Sequence, residues 1–261
     1  MTATPTPRRL YVHDDLTAAA WSLPSRGREA VPLVGALFDA LCREPHVAIL
    51  SLAEQIAGVV AHGGFPPFAT AIGIGDAGER VARELHARTG WFPSIVRLDV
   101  RRAEDSRGDY VLMGPAPLTR QLEDVPTGGT VAVVDDTVFS GMTMRAVLGA
   151  LPRAVRRRTH AFCLRAVAES VPAVAKLCPI TVGFAAPGRI EHDVSFINAS
   201  GLVRRGAIRR VDAPPLAFFE RPEWMTAWFP RHGDEIVALC RRLHALFDDD
   251  VDASLDVARA V

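Results

Sequence analysis

The chain has 261 residues, of which 49% are hydrophobic and 23% are charged, a balance typical of one large globular domain or of a domain with an added subdomain. Its 30 lysines and arginines equal its 30 aspartates and glutamates, which argues against a general electrostatic attraction to nucleic acid or to an anionic membrane. Lys176 is the only lysine, so a catalytic lysine in a loop is nearly excluded.

The four cysteines, Cys42, Cys163, Cys178 and Cys240, are widely spaced and lie in apolar stretches. This pattern predicts buried thiols in a reducing compartment and argues against a structural zinc site, which needs closely spaced ligands. Residues 1–9 lack a long apolar run, and no stretch approaches the roughly 20 apolar residues of a membrane span. We therefore expect a cytoplasmic protein that binds neither membrane nor nucleic acid.

Apolar periodicity divides the chain into strands and helices after a loose tail at residues 1–9. In chain order the predicted elements are helix 31–44, helix 52–62, strand 69–74, helix 79–88, strand 94–100, strand 130–134, helix 142–151, strand 159–167, helix 171–177, strand 180–184 and helix 234–247. This alternation predicts an α/β fold, with a mostly parallel twisted sheet and helices on both faces.

Some segments do not fit the alternation. Residues 101–118 show no apolar period and predict a long loop, which in compact domains is often an active-site lid. Residues 202–211 predict a small hairpin through Gly206. Residues 248–250 are three consecutive aspartates, and they predict the solvated end of the last helix.

Residues 131–143 carry the chemistry. A buried strand leads directly into Asp135 and Asp136, and ligands of open α/β sheets bind at this carboxyl end of the strands. Consecutive strand residues face opposite ways, so the two acids should not do the same job. Paired carboxylates suit vicinal hydroxyls, a hydrated Mg²⁺ or both, and the turn at residues 137–143 offers hydroxyls and helix N-terminal amides for a phosphate. Together they predict a site for ribose 5-phosphate; the alternative is an ordinary strand-to-helix turn with capping acids.

Residues 131–143 resemble the phosphoribosyl pyrophosphate (PRPP) motif of type I phosphoribosyltransferases, in which four apolar residues and two acids precede a Thr/Ser-Gly-x-Thr loop. The resemblance implies that fold as a core at residues 69–184. It implies a hood built from an N-terminal extension at residues 1–68 and a C-terminal extension at residues 185–261. The implied activity is transfer of ribose 5-phosphate from PRPP to a nucleobase-like or other small heterocyclic acceptor, with release of pyrophosphate, by a homodimer.

The resemblance also implies roles for individual residues. Asp135 and Asp136 would be catalytic, holding the ribose hydroxyls and positioning Mg²⁺ through water. Phe184, near the last core strand, would stack on the acceptor; packing in the core is the alternative. The remaining donor-binding residues would be Thr137, Val138, Phe139, Ser140, Gly141, Met142 and Thr143 around the 5-phosphate, and Gly75, Asp76, Ala77 and Gly78 around the pyrophosphate.

The pyrophosphate loop is expected at residues 73–78, where glycines recur before a helix. Glycines let backbone amides approach a pyrophosphate closely. The same spacing is compatible with a dinucleotide-binding fingerprint. That fingerprint needs an acid about 20 residues later, and Asp99 is the candidate.

The sequence departs from the family pattern at several loop positions. Relatives that act on orotate carry lysines in the pyrophosphate loop and in the mobile loop, where this chain has Ala77 and arginines. Phe139 stands where some members have an acid that acts on the incoming base. We expect Arg107, near the tip of the 101–118 loop, to stabilise the leaving pyrophosphate, with Arg101 and Arg102 as alternatives. Without the lysines, a non-catalytic protein that senses PRPP or a nucleotide is the second hypothesis.

Overall fold

A computed structural model describes residues 7–23, 26–123, 125–126 and 128–259 of the chain. Its strands are β1 Arg9–Asp14, β2 Val47–Ser51, β3 Thr70–Ile74, β4 Ile95–Leu98, β5 Arg101–Glu104, β6 Tyr110–Met113, β7 Val131–Val138, β8 Thr159–Val167, β9 Ile180–Ala186 and β10 Val194–Asn198. Its helices are α1 Leu16–Trp21, α2 Gly27–Cys42, α3 Leu52–Ala61, α4 Gly75–Thr89, α5 Leu118–Glu123, α6 Met142–Ala150, α7 Arg153–Arg156, α8 Val171–Ala175, α9 Ala199–Val203, α10 Pro222–Trp228 and α11 Gly233–Arg259. The chain divides into a core unit, Ala53–Ile190, and a terminal unit made of the residues up to Leu52 and those from Glu191 onward.

The core unit is built on a sheet with the strand order β4, β3, β7, β8 and β9, in which every neighbouring pair is parallel. β7 is the central strand, and its residues 131–134 have no exposed surface. A continuous run of β-branched and small apolar residues is what a strand covered on both faces requires. The predicted α/β fold with a mostly parallel sheet is confirmed.

Helices flank both faces of this sheet. On one face Val131 and Val133 belong to the same buried cluster as Met144 and Val147 of α6. On the other face α3 lies so close to β9 that a side chain added at Gly58 would clash with the backbone of Gly183. The packing fixes β7 and β8 side by side and brings their carboxyl ends to one edge, where ligands of such sheets bind.

The terminal unit contains a second parallel sheet, with the strand order β10, β1 and β2. Leu10 and Val12 of β1 are fully buried and belong to one cluster with Leu37 of α2 and Leu243 of α11. The sequence does not predict this sheet: β1 begins at Arg9, the last residue of the expected tail, whose residues 1–6 lie outside the described part of the chain. β1 and β10 mix polar with apolar residues, so their pattern alone does not distinguish them from loops, and β2 is a largely apolar run of only five residues.

The expectation of a long loop at residues 101–118 is wrong. The antiparallel strands β5 and β6 form a hairpin, and α5 begins at Leu118. Ala103 is buried and Leu112 packs against the core cluster of the unit, so the segment has the apolar anchors that its sequence appeared to lack. Each strand has only four residues, which is too few for an apolar period to be recognised.

Other expectations for single segments are also corrected. The predicted hairpin at residues 202–211 is instead the helix α9, followed by a bridge between Ile208 and Leu216. The aspartates at residues 248–250 lie within α11, which continues to Arg259. Cys42 is exposed rather than buried, whereas the other cysteines are buried as expected. In the part of the chain that the structure describes, every helix is too short or too polar to cross a membrane.

Candidate active site

Two adjacent carboxylates lie in the C-terminal half of β7, the central strand of the core unit, which continues to Val138 and does not end at residue 134 as the sequence predicts. Asp135 is 8% exposed, and its Oδ1 accepts a hydrogen bond of 2.8 Å from the backbone N–H of Asp136. Burial raises the pKa of Asp135 well above its usual value, and the neighbouring charge of Asp136 raises this pKa further. The Arg102 guanidinium acts on the same pKa in the opposite direction. A cation or a hydrogen-bonding ligand at this edge would offset the cost of the buried acid.

Asp136 pairs with a buried arginine that the sequence reasoning missed. Arg165 lies in β8, in register with Thr137, and is 1% exposed. Its Nη2 donates to Oδ2 of Asp136 at 2.9 Å, and its Nη1 donates to Oε1 of Gln55 at 3.1 Å. The sequence does contain a signal for this pair: Arg165 is the charged residue inside the otherwise apolar run of residues 161–167. Because arginine is almost never buried without a partner, this position indicates a buried ion pair.

The turn after β7 leads into α6 through a left-handed glycine. Gly141 has φ of 72° and caps the helix, a conformation that favours glycine. Ser140 is exposed, and Thr143 is half-buried in the first turn of α6. The turn therefore presents a hydroxyl together with the N-terminal amides of a helix, a combination suited to a phosphate.

The other side chains predicted in this turn point elsewhere or are partly covered. Val138 is buried in the hydrophobic cluster of the core unit, so only its backbone is available to a ligand. Phe139 and Met142 are half-buried. The carbonyl oxygen of Phe139 accepts a hydrogen bond from the Ser170 hydroxyl, which fixes the backbone at the start of the turn.

The glycines at residues 73–78 have packing reasons as well as an expected ligand role. A side chain at Gly73 would clash with the backbone of Glu79, and one at Gly78 would clash with the carbonyl oxygen of Val134. Gly75 has φ of 60° at the start of α4. Asp76, which follows, is exposed, and Ala77 is half-buried. Glycine is thus required at residue 73 by the backbone of α4 and at residue 78 by the backbone of β7, whatever the loop binds.

An arginine from the next strand lies beside this loop. Arg97 of β4 donates from Nη1 to Oδ1 of Asp76 at 2.6 Å and from Nη2 to Asp99 at 3.1 Å. Asp99, the candidate acid of a dinucleotide site, is therefore already paired. Its charge and that of Asp76 raise the pKa of Arg97, with the hydrogen bond to Asp99 contributing most.

The predicted Arg107 lies at the turn of the β5–β6 hairpin. The side chain of Asp105 accepts hydrogen bonds from the backbone N–H groups of Arg107 and Asp109, at 2.8 and 2.9 Å, which shapes this turn. Arg102 lies within β5, over the ring of Tyr110 at 5.7 Å. Of the hairpin arginines proposed from the sequence, Arg102 is the one whose charge acts on Asp135.

Phe184, the predicted acceptor residue, lies in β9 in register with Arg165 of β8. It is half-buried. The register places it at the same carboxyl edge as the acids of β7. Its position is compatible with both readings of the sequence, an aromatic surface for an acceptor or part of the packing at the end of the strand.

The oxygen-rich edge of β7 fits Mg²⁺. Asp135, Asp136, Thr137 and Ser140 offer carboxylate and hydroxyl oxygens, the ligands that this ion prefers. Among the described residues no group of three or more histidine, cysteine, aspartate or glutamate side chains forms a metal cage. Mg²⁺ commonly binds through one or two carboxylates together with waters and substrate phosphates, so two acids suffice.

Comparison with known proteins gives a sequence relative. The chain is 40% identical over 76 residues to the bifunctional protein PyrR of Chloroflexus aurantiacus, a match that covers 28% of this chain and 40% of that protein. The chain therefore matches less than half the length of this curated relative. No family model matches the sequence.

Solved structures of similar shape include two enzymes. A purine phosphoribosyltransferase from Pyrococcus horikoshii is 17% identical, with coverage of 55% of this chain and 85% of that one at a TM-score of 0.35. The APRTase of Giardia lamblia is 14% identical, with coverage of 52% and 78% at a TM-score of 0.37. At such low TM-scores these likenesses do not bear on the conclusions. The similarity to PyrR confirms that the chain resembles the type I phosphoribosyltransferase family, as residues 131–143 predict.

Proposed function

We propose that the protein is a Mg²⁺-dependent phosphoribosyltransferase. It moves ribose 5-phosphate from PRPP to a small heterocyclic acceptor and releases pyrophosphate. The observation that carries the proposal is the position of Asp135 and Asp136: they lie in the C-terminal half of the central parallel strand of the core unit, which ends at Val138, before the turn that leads into α6. This arrangement combines acceptors for a diol with hydroxyl and amide donors for a phosphate in one chain segment.

Different residues bind different parts of the donor PRPP. Asp136, which is paired with Arg165, accepts hydrogen bonds from the ribose hydroxyls. The Ser140 hydroxyl and the amides at the start of α6 bind the 5-phosphate, where the helix dipole favours negative charge. The amides after Gly75 bind the pyrophosphate. This division anchors the donor at both charged ends and so fixes the position of the sugar C1 in the site.

Bond cleavage at C1 requires charge stabilisation on the leaving group. The C1–oxygen bond to pyrophosphate breaks through a transition state with oxocarbenium character, and a bond from C1 to the acceptor forms. Asp135 and Asp136 would hold Mg²⁺ through water, and the ion would there supply positive charge for the leaving pyrophosphate. Arg107 adds a second charge, and the hairpin reduces the access of water to the donor. Phe139 cannot take a proton from the acceptor, so that proton leaves to solvent or to another group.

A second candidate function is a protein that binds PRPP or a nucleotide without turning it over. The observation that favours it is Ala77, together with a hairpin that carries arginines and no lysine. The two functions differ in one measurement: only the enzyme releases pyrophosphate when PRPP, Mg²⁺ and a series of heterocyclic acceptors are supplied. Both require the same donor site.

Replacing both acids tests the donor site. The double variant Asp135→Asn, Asp136→Asn should lose PRPP binding, because both carboxylates contribute to it. The variant should also be less stable than wild type, because Asp136→Asn leaves the buried Arg165 without its ion-pair partner. Calorimetric titration with PRPP and Mg²⁺ measures the binding, and circular dichroism measures the fold. Asp39→Asn, an exposed residue of α2, is the control and should bind like wild type. Wild-type affinity in the double variant would contradict the site assignment.

A further inference from the structure

Arg165 is a wholly buried charge that the proposed reaction does not itself use. It is 1% exposed, and its partner Gln55 is 2% exposed. Neighbouring residues of β8, among them Phe162, Leu164 and Ala166, are apolar and fully buried. The guanidinium therefore lies inside the core unit, between a residue of α3 and the second acid of β7.

Stability alone does not account for a buried ion pair. Removing two charges from water costs several kcal/mol per ion, and replacing such a pair with apolar residues of similar volume is often neutral or stabilising. What the pair does provide is a fixed, ionised carboxylate whose direction is set by the hydrogen bond to Oδ2. A carboxylate that must meet two ribose hydroxyls benefits from such preorganisation.

We propose that Arg165, held by Gln55, is a positioning residue that fixes Asp136 for the ribose hydroxyls of the donor. The inference rests on the proposed function. Arg165 acts through Asp136 and does not touch the donor, because it reaches the carboxylate from the neighbouring strand and from within the core. Partners of this kind commonly change ligand affinity 10- to 100-fold when removed.

The opposite interpretation is that Arg165 occupies Asp136 and excludes the donor until it withdraws. The geometry argues against withdrawal. Nη1 is engaged by Gln55 while Nη2 is engaged by Asp136, and the side chain has almost no solvent-exposed surface toward which it could move. A blocking residue would need an alternative position, and leaving the present one would break the hydrogen bonds of the guanidinium to Gln55 and Asp136 inside the core. The two interpretations predict opposite changes in affinity.

The test is calorimetric titration of PRPP with Mg²⁺ into the full chain and its variants. Arg165→Met should raise the Kd about tenfold or more. Arg165→Lys, which keeps a charge but loses the planar fork, should fall between Met and wild type. Gln55→Leu should weaken binding less than Arg165→Met, because the ion pair remains. Arg153→Met, at an exposed arginine of α7, is the matched control and should leave the Kd unchanged.

The readouts separate positioning from folding. A merely structural role would reduce the fraction of binding-competent protein, given by the calorimetric stoichiometry, while the Kd of that fraction stayed at the wild-type value. If Arg165→Met does not fold, Arg165→Lys and Gln55→Leu carry the test. An unchanged or lowered Kd in the folded variants would overturn the positioning role and leave the proposed function intact. If the wild-type chain binds no PRPP, the proposed function fails and the positioning role falls with it.

Discussion

At the residue scale, the two acids of β7 are placed in different surroundings. Asp136 is paired with Arg165, whereas Asp135 is more deeply buried and its pKa is raised, first by burial and then by the charge of Asp136. A strand directs consecutive side chains to opposite faces, so the two acids meet different neighbours. The sequence predicts that the two acids have different roles. The ion pair of Asp136 and the burial of Asp135 give that difference a physical cause.

Asp135 should make the fold less stable as the pH rises. Its pKa is raised in the folded state, so folding favours the protonated acid. Below the unfolded value of about 4 both states are protonated and the cost is absent; as the pH rises above it, ionisation favours the unfolded state. Asp135→Asn should therefore have a higher free energy of unfolding than wild type at pH 8, and the difference should shrink toward pH 5. Urea unfolding at several pH values measures it.

The control for this prediction is Asp109→Asn in the exposed turn of the hairpin. Its difference from wild type should stay small and show no trend with pH, because surface substitutions of this kind rarely exceed about 0.5 kcal/mol. A gain for Asp135→Asn that was independent of pH would mean that the carboxyl group is not penalised for its charge.

Sequence reasoning recovers the part of the site that lies in one segment. Residues 135–143 are contiguous, so their spacing alone indicates a strand end, a turn and a helix start. Arg165 and Gln55 are 110 residues apart, and their relation to Asp136 exists only because β8 pairs with β7 and α3 lies against the sheet. A pattern within one segment contains no information about that pairing.

At the element scale, the β5–β6 hairpin shows how a short element escapes prediction. Arg101 and Arg102 begin a strand whose only buried residue is Ala103. Their charges resemble those of a solvated loop. The hairpin is held by pairing between two strands and by contacts of Leu112 with the core cluster. Neither contact produces a periodic pattern of apolar residues in the sequence.

The arginines of this hairpin should have separate effects on the reaction. Arg107→Ala should lower kcat roughly 100-fold with little change in donor affinity, since a leaving-group contact is made only in the transition state. Arg102→Ala should raise the Kd for PRPP, because its charge acts on Asp135 in the structure. Steady-state kinetics together with titration of PRPP separates the two effects.

Arg101→Ala is the matched control. Arg101 precedes Arg102 on β5, so its side chain points to the opposite face of the hairpin. It should leave both kcat and Kd near wild type. Arg102→Ala could instead be the variant that loses turnover, with no effect of Arg107→Ala. The hairpin would then still supply the contact to the leaving group, and Arg102 would make it in place of Arg107.

At the scale of the whole molecule, the terminal unit is assembled from both ends of the chain. β1 is the central strand of its sheet, between β2 on one side and β10 on the other. The sequence indicates the helix α2 and the start of α11 but not the sheet they cover. Residues 9–14 mix arginine, histidine and aspartate with apolar residues, and their strand character comes from partners that are distant in the chain.

Truncating the core of β1 should destabilise the terminal unit. Leu10→Ala leaves a cavity at a fully buried position, and such changes cost about 2–5 kcal/mol. Urea unfolding followed by tryptophan fluorescence measures the loss, since Trp21, Trp224 and Trp228 lie in this unit. The neighbouring Arg9→Ala, at an exposed position of the same strand, should change the free energy of unfolding by less than about 0.5 kcal/mol. Equal effects of the two variants would contradict the placement of Leu10.

The pairing of β1 with β10 has a consequence for synthesis on the ribosome. Arg9 is in register with Val194, so β1 pairs with a strand that is translated 185 residues later. At usual elongation rates the delay is roughly 10–40 s. All of Ala53–Ile190 emerges in that interval, and its parallel sheet is complete within those residues. The nascent chain therefore acquires the segment carrying Asp135 and Asp136 while one edge of β1 is still an unpaired template. Such edges recruit strands from other chains, so crowded polysomes and slow codons between the two halves are the conditions under which this protein is most exposed to aggregation.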